Sequence, residues 1–178
     1  MRFHPTEVDG AWIVELERVS DDRGYNARAW CAEEFDRLDL TTDPAQLNVI
    51  ANHRKGTVRG MHWQADPMAD AKLFRVVRGA LHDVVVDIRP DSPTRGAQLH
   101  VELRAGADRM LYVPGGCAQG FQTLTHDTEL MYLVSAPYAP SHGRGFRYDD
   151  PAFGIAWPLD VSVVSDKDRS WPDWEDPT

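Results

Sequence analysis

The 178-residue sequence predicts an all-β protein whose short strands form a sandwich or a barrel, either closed or double-sheeted. Segments with strand-like patterns follow one another from residue 11 to residue 134. Turn-forming stretches such as PDSPTRG, RAGAD and PGG separate them at short intervals. Only the segment 31–38 (CAEEFDRL) has a convincing helical pattern, so helices are expected to be few, short and peripheral.

The strand segments differ in how polar they are. The segment VRGMHWQADP carries Arg59, His62 and Gln64 among apolar and small residues, and Gly79 separates two longer segments. The tail from Pro151 onward is rich in Pro, Trp and Asp and has little periodicity. In chain order, the predicted strand segments are 11–19, 47–53, 58–67, 72–79, 80–89, 97–104, 109–114 and 128–134.

Length and charge limit the possible function classes. A chain of this length fits one domain, 1–178, with a well-buried core. The formal net charge of −9 argues against general binding to nucleic acid, although a local basic pocket for a small anion is compatible with it. The two cysteines, Cys31 and Cys117, lie far apart, and free thiols are expected.

The sequence carries no pattern of a membrane or exported protein. No apolar run approaches the roughly 20 residues that cross a bilayer. The N-terminal stretch MRFHPTEVDG has neither an apolar signal core nor a cleavage-like site. We therefore expect a cytoplasmic protein without a membrane partner.

A double-sheeted barrel with polar residues on inward strand faces suggests a double-stranded β-helix, the jelly roll of the cupins, which commonly carries a metal. A metal site would need several histidines or carboxylates that converge from neighbouring strands. Here His62 is followed by Gln64 where a second histidine would stand, and Gln119 occupies the place of a third. Since neutral amide oxygens rarely hold a transition metal alone, the sequence predicts no metal and no other cofactor.

Seven blocks occur in an order and at intervals that together resemble the dTDP-4-dehydrorhamnose 3,5-epimerase family, a metal-free branch of the cupins. The resemblance covers about residues 20–172. The blocks are DDRGYNARAW, KGTVRGMHWQ, KLFRVVRGALHDVVVDIRPDSPT, VPGGCAQGF, MYLVSAPYAP, DPAFGIAWP and SDKDRSWP.

The resemblance implies an epimerase that inverts C3 and/or C5 of a nucleotide-linked 4-keto-6-deoxyhexose, as in the conversion of dTDP-4-dehydro-6-deoxyglucose to dTDP-4-dehydrorhamnose. By family position, His62 is the base, and Asp168 pairs with it and fixes its tautomer. Lys72 stabilises the developing enolate, and Tyr132 protonates the far side.

Further family positions imply contacts with the nucleotide sugar. Arginines suit the diphosphate because the guanidinium pairs two oxygens at once, and an aromatic ring can stack on the base. Gln119 can hydrogen-bond a ketone oxygen but cannot carry a proton. The implied substrate-binding residues are Arg23, Gln46, Asn48, Arg59, Gln119, Tyr138 and Lys167.

One conflict within the second block leads to a structural prediction. Strict strand alternation puts Arg59 and His62 on opposite faces of the strand. A β-bulge at Gly60 would bring both to one face; without it, Arg59 would be structural.

Alternatives remain open at this stage. Taken singly, His62 and Tyr132 could be core residues, Lys72 could face solvent and Asp168 could cap a turn. Departures from the family pattern at Arg28, Gln119 and Gly143 leave the exact sugar and the inverted centre undetermined.

The alternatives to a 3,5-epimerase are a single-centre epimerase or keto-isomerase on another nucleotide sugar, and a catalytically silent sugar-binding cupin. Members of the family pair or exchange N-terminal strands, which implies a homodimer.

Overall fold

Two antiparallel sheets form the body of the protein in a computed structural model that describes residues 1–40 and 43–175. Two short helices, α1 (Ala32–Asp36) and α2 (Asp166–Arg169), lie outside the sheets. In chain order, the strands are β1 (Arg2–Pro5), β2 (Trp12–Glu15), β3 (Arg18–Asp21), β4 (Gly24–Ala27), β5 (Gln46–Asn52), β6 (Val58–Gln64), β7 (Lys72–Arg78), β8 (Ala80–Val86), β9 (Gln98–Arg104), β10 (Arg109–Val113), β11 (Ala118–Thr123), β12 (Thr128–Val134) and β13 (Gly143–Gly145).

The strand order confirms the prediction of a double-sheeted jelly roll. The larger sheet has the order β1-β2-β10-β7-β12-β5, and the smaller has the order β13-β6-β11-β8-β9. Neighbouring strands within each sheet are antiparallel. Strands β3 and β4 form a separate hairpin.

The main core lies between the two sheets and follows from residue alternation. Along β9, the inward residues Leu99, Val101 and Leu103 are buried, while the residues between them are exposed or half-buried. Leu81 and Val85 of β8 point into the same core. Burying these side chains of the smaller sheet against apolar side chains of the larger sheet supplies most of the driving force for closing the barrel.

The C-terminal tail covers the outer face of the smaller sheet. Val84 and Val86 of β8 are buried against Phe146 and Ile155, with Trp174 packed at the margin. This explains why β8 is buried on both faces and why the tail has no strand periodicity: it packs as an irregular cover.

Several element boundaries differ from the sequence prediction. The helix predicted over 31–38 is shorter, Ala32–Asp36, with Phe35 anchoring it in a secondary core. The segment 11–19 is divided at residues 16–17 because β2 pairs with β1 and β10, whereas β3 pairs only with β4. Strands β1, β4 and β13 are three or four residues long, too short to show a period.

Both cysteines are free, as predicted. Within residues 1–40 and 43–175, no helix has the length and apolar composition of a membrane span.

Candidate active site

A cavity of about 530 Å³ brings together ten of the eleven side chains that the sequence analysis selected. The smaller sheet contributes His62 and Gln119, and the larger sheet contributes Lys72 and Tyr132 from the opposite wall. The ten residues are Gln46, Asn48, Arg59, His62, Lys72, Gln119, Tyr132, Tyr138, Lys167 and Asp168.

The predicted bulge at Gly60 is confirmed. Phe121 pairs with Arg59 and Gln119 pairs with His62, so three steps on β6 face two steps on β11. Both Arg59 and His62 therefore line the cavity. A Cβ on Gly60 would lie 2.5 Å from the Gly120 Cα, and the backbone φ is +129°, so only glycine fits here.

His62 and Asp168 form the closest polar pair in the cavity. The His62 Nε2 lies 2.6 Å from Asp168 Oδ1. The Gly60 N–H of β6 donates to Asp168 Oδ2 at 3.4 Å, and Ser165 caps α2 by accepting from the Asp168 N–H. Burial would raise the pKa of Asp168, but the His62 hydrogen bond and charge, together with the Gly60 N–H, outweigh it and lower the pKa below its usual value.

Trp171 lies behind the imidazole. Its ring centroid is 6.3 Å from that of His62, in an edge-on arrangement. The ring lies against Gly145, where a Cβ would come within 2.5 Å of the indole. The tail tryptophan therefore restricts the histidine ring, a role that strand periodicity could not have indicated because Trp171 follows α2 in an irregular segment.

Lys72 is paired with a carboxylate that the sequence analysis missed. The Lys72 Nζ lies 3.8 Å from Asp70 Oδ2, and the two side chains are 13% and 7% exposed. Burial raises the pKa of Asp70, and the nearby ammonium opposes that rise. Asp70 stands two positions before Lys72, a spacing that puts two residues on one face of an extended segment and could have identified it.

Tyr132 faces the cavity from β12. Its ring stacks on Phe74, with centroids 5.2 Å apart. Burial raises the pKa of Tyr132 and the charge of Asp70 adds to this, while the Asn48 hydrogen bond and the Arg59 charge act in the other direction. The net shift is upward, so the phenol keeps its proton at neutral pH and can donate it.

Gln119 contacts a second residue that the sequence analysis missed, Asp83. The Gln119 Nε2 donates to both carboxyl oxygens of Asp83, each at 2.9 Å. Burial raises the pKa of Asp83 to about 8, against the Gln119 hydrogen bond and the Lys72 charge. In this arrangement the amide nitrogen is engaged by Asp83, and the contact of Gln119 with a ketone oxygen stays a prediction.

Two glutamines hold the loop that presents Tyr138 at the rim of the cavity. The Gln46 Oε1 accepts from the Tyr138 N–H at 2.6 Å. Gln64, which stands where a second metal-binding histidine would, accepts from the Ala139 N–H at 2.6 Å and donates to Pro137 O at 3.2 Å. Tyr138 itself is 64% exposed, so its ring is available to a ligand at the rim.

The cavity is basic although the chain is acidic. Four cations and two carboxylates line it, and both carboxylates face a partner already described. Arg59 is oriented by donating from Nε to Asn52 Oδ1 at 2.8 Å, and the Lys167 Nζ lies 5.4 Å from the centre of the Trp171 ring. The cations are Arg59, Lys72, Lys167 and Arg144, of which the sequence analysis missed the last.

Arg23 is the selected residue that the structure does not bring to the cavity of its own chain. It lies at the tip of the β3–β4 hairpin, where its guanidinium is 90% exposed and pairs with Asp21 at 2.5 Å. Arg28 also lies outside the cavity and pairs with Glu34, whereas Gly143 lines it.

Across residues 1–40 and 43–175, the structure contains no group of three or more His, Cys, Asp or Glu placed to hold a metal ion. A cavity with a paired histidine, a protonated phenol and several cations suits proton transfer on an anionic ligand.

Comparisons with known proteins show the family of the chain. A sequence model of the dTDP-4-dehydrorhamnose 3,5-epimerase family matches residues 5–176. The chain is 40% identical to dTDP-4-dehydrorhamnose 3,5-epimerase of Sinorhizobium fredii, over 97% of this chain and 89% of that one. It is 39% identical to dTDP-4-dehydro-6-deoxyglucose 3-epimerase of Streptomyces bikiniensis, over 96% and 87%.

A solved structure also matches nearly the whole chain. The crystal structure of dTDP-4-dehydrorhamnose 3,5-epimerase from Bacillus anthracis, with TDP and PPi bound, superposes with a TM-score of 0.92 at 36% identity and covers 97% of this chain and 99% of that one. The protein is therefore an isomerase that belongs to the dTDP-4-dehydrorhamnose 3,5-epimerase family.

Proposed function

We propose that the protein epimerises a nucleotide-linked 4-keto-6-deoxyhexose at C3, C5 or both, by proton transfer through an enolate. The observation that carries the proposal is the His62–Asp168 pair, 2.6 Å apart, on one wall of a basic cavity whose opposite wall presents Tyr132. Epimerisation requires removal of a proton from one face of the sugar and delivery of a proton to the other face. A base on one wall of the cavity and an acid on the opposite wall can carry out these two steps.

His62 acts as the base. Its Nε2 is engaged by Asp168, so Nδ1 is the nitrogen left for the proton beside the ketone. Asp168 fixes the tautomer and stabilises the imidazolium that forms. Trp171 keeps the ring in place.

Lys72 and Tyr132 complete the reaction from the larger sheet. Lys72 places a positive charge in a largely buried position, where it stabilises negative charge on the enolate oxygen. Tyr132 holds a proton at neutral pH and delivers it to the face opposite His62.

The remaining cations and Tyr138 bind the nucleotide. Arg59, Lys167 and Arg144 supply the charge that a diphosphate needs, and the exposed ring of Tyr138 offers a stacking face. The Bacillus anthracis protein has TDP and PPi bound, which supports a nucleotide as part of the ligand.

A homodimer would explain both the exposed apolar residues and the position of Arg23. Val19 and Tyr25 on the hairpin are 76% and 48% exposed, and Leu47 and Val49 on edge strand β5 are both 57% exposed. Covering such side chains is favourable, and a second copy of the chain could cover them with matching patches. In that dimer, Arg23 would reach the cavity of the partner subunit.

Solvent deuterium tests the proposal. Purified protein and dTDP-4-dehydro-6-deoxyglucose in D₂O should give NMR-detected loss of the proton at C3, C5 or both. Exchange and inversion at one carbon would identify a single-centre epimerase, and a moved carbonyl would identify a keto-isomerase. If the protein binds the nucleotide sugar but gives no exchange above background, it is a catalytically silent sugar-binding cupin. Cytoplasmic residence stays a prediction.

A further inference from the structure

Gln119 is fixed by a residue that does not itself line the cavity. Gln119 on β11 pairs directly with His62 on β6 and lines the cavity. Asp83 on β8 pairs with Phe121, so Asp83 and Gln119 are diagonal neighbours on one face of the sheet. The Asp83 residue is completely buried and Gln119 is 7% exposed, which makes Gln119 the member of the pair that a ligand meets.

The hydrogen bonds of the pair decide which amide atom faces the ligand. A carboxyl group offers an acceptor oxygen to Nε2 in either protonation state. Within residues 1–40 and 43–175, the Gln119 side chain makes no other hydrogen bond. Its Oε1 is not one of the buried polar atoms without a partner in that part of the chain, so this oxygen is accessible. Oε1 is therefore left to accept a hydrogen bond from a molecule in the cavity.

We propose that Gln119, positioned by Asp83, selects a sugar with a hydroxyl group on C3 and places that carbon beside His62. The inference rests on the proposed epimerase function and deepens it. An acceptor oxygen attracts an O–H group and disfavours a ketone or enolate oxygen. In a 4-keto-6-deoxyhexose, C3 carries a hydroxyl, whereas C5 carries a methyl group and the ring oxygen, neither of which donates. The site therefore favours proton removal at C3 over C5.

The binding test uses two ligands that cannot react because they have no ketone. They are dTDP-6-deoxyglucose and its 3-deoxy analogue, titrated by calorimetry into wild type and Gln119→Met. Methionine keeps the length of the side chain without an acceptor amide. Wild type should bind the hydroxylated ligand about tenfold more tightly, the effect of one buried hydrogen bond, and the variant should bind both within about twofold. Equal binding by wild type, or a preference retained by Gln119→Met, would overturn the inference.

The role of Asp83 has its own control. Asp83→Asn keeps an oxygen that can accept from the Gln119 Nε2, so it should retain the preference for the hydroxylated ligand. Asp83→Leu removes that acceptor and lets the amide turn, so it should lose most of the preference while still binding the nucleotide. If Asp83→Leu retains the full preference, or Asp83→Asn loses as much, Asp83 does not position Gln119.

Exchange measurements separate this inference from the function on which it rests. With the keto sugar in D₂O, wild type should exchange C3 faster than C5, and Gln119→Met should reduce the C3 rate by about tenfold with a smaller effect at C5. A hydroxyl preference in binding without any exchange would refute the epimerase function alone. Exchange without a hydroxyl preference would refute the selection by Gln119 alone.

Discussion

At the scale of single residues, the site depends on which groups hold protons. Tyr132 has a raised pKa and faces the wall opposite the His62–Asp168 pair. Tyr132→Phe removes the proton donor and leaves the base. We expect this variant to wash deuterium into the substrate while inversion falls by a factor of ~10² or more. NMR separates the two because it reads isotope content and configuration in one spectrum. Equal inversion in the variant and wild type would contradict the assignment of the acid.

The buried Asp83 makes a prediction about stability and pH. Its pKa is raised in the fold from 3.8 to about 8, so the folded state holds this proton more tightly than the unfolded chain. The stability from this group is fully present below the unfolded value and is lost as the pH rises through about 8. When the pH rises from about 5 to about 9, the free energy of unfolding should therefore decrease less in Asp83→Asn than in wild type. Urea denaturation measures this free energy at each pH.

The exposed carboxylate Asp22 offers a matched control, because Asp22→Asn makes the same change at the surface. This variant should follow the wild-type pH dependence. An Asp83→Asn protein with the same pH dependence as wild type would show that Asp83 does not carry this proton.

At the scale of elements, the bulge in β6 decides whether Arg59 and His62 share a cavity. In Gly60→Ala, the added Cβ would meet the Gly120 backbone at 2.5 Å, so β6 or β11 must shift. Gly24→Ala is a close control because Gly24 has φ +127°, near the +129° of Gly60, but within residues 1–40 and 43–175 of the same chain no atom lies within 4 Å of its added Cβ. Both variants carry the same backbone strain, and the difference between them reports the close approach.

We expect Gly60→Ala to be destabilised by several kcal/mol more than Gly24→Ala, since backbone atoms cannot move aside as a side-chain end can. Its deuterium exchange should fall with the displacement of His62. Thermal unfolding measures the difference in stability between the two variants. Light scattering checks that both have the wild-type oligomeric state. Similar melting temperatures for the two variants would show that the bulge tolerates a side chain.

Sequence periodicity predicted the strands that have a regular pattern of buried and exposed residues, and it did not predict the strands that lack one. The strand around His62 was predictable, and so was its bulge, because alternation alone conflicted with the positions of Arg59 and His62. Strand β1 was missed because its four residues are exposed or half-buried and show no period. The pairing of Gln119 with Asp83 joins two strands, and no local pattern reports a cross-strand contact.

At the scale of the whole molecule, the exposed hairpin explains how Arg23 could act without lining its own cavity. We expect a homodimer in solution, and a mixed-dimer experiment tests whether Arg23 serves the partner. We expect His62→Ala and Arg23→Ala to be inactive when each is alone. Mixing the two kinds of subunit should restore about a quarter of the wild-type activity, because half of the dimers are mixed and each mixed dimer has one intact cavity. A cavity served by its own Arg23 would give no recovery.

The order of the seven sequence blocks predicted the function, which no single residue could do. His62, Lys72, Tyr132 and Asp168 each have an ordinary structural explanation when they are taken alone. The fold makes the difference by bringing them from two sheets and from α2 to one cavity. What the sequence could not supply is the direction of each hydrogen bond, which is why the acceptor offered by Gln119 emerged only from the structure.

Deuterium exchange by His62→Asn tests the central claim, proton abstraction by His62, most directly. Asparagine can still donate to Asp168, so this carboxylate is not left unpaired, but an amide cannot accept the substrate proton. We expect a folded protein that binds the nucleotide sugar with near wild-type affinity and exchanges C3 and C5 protons at least ~10²-fold more slowly. Wild-type exchange by this variant would contradict the role of His62 as the base.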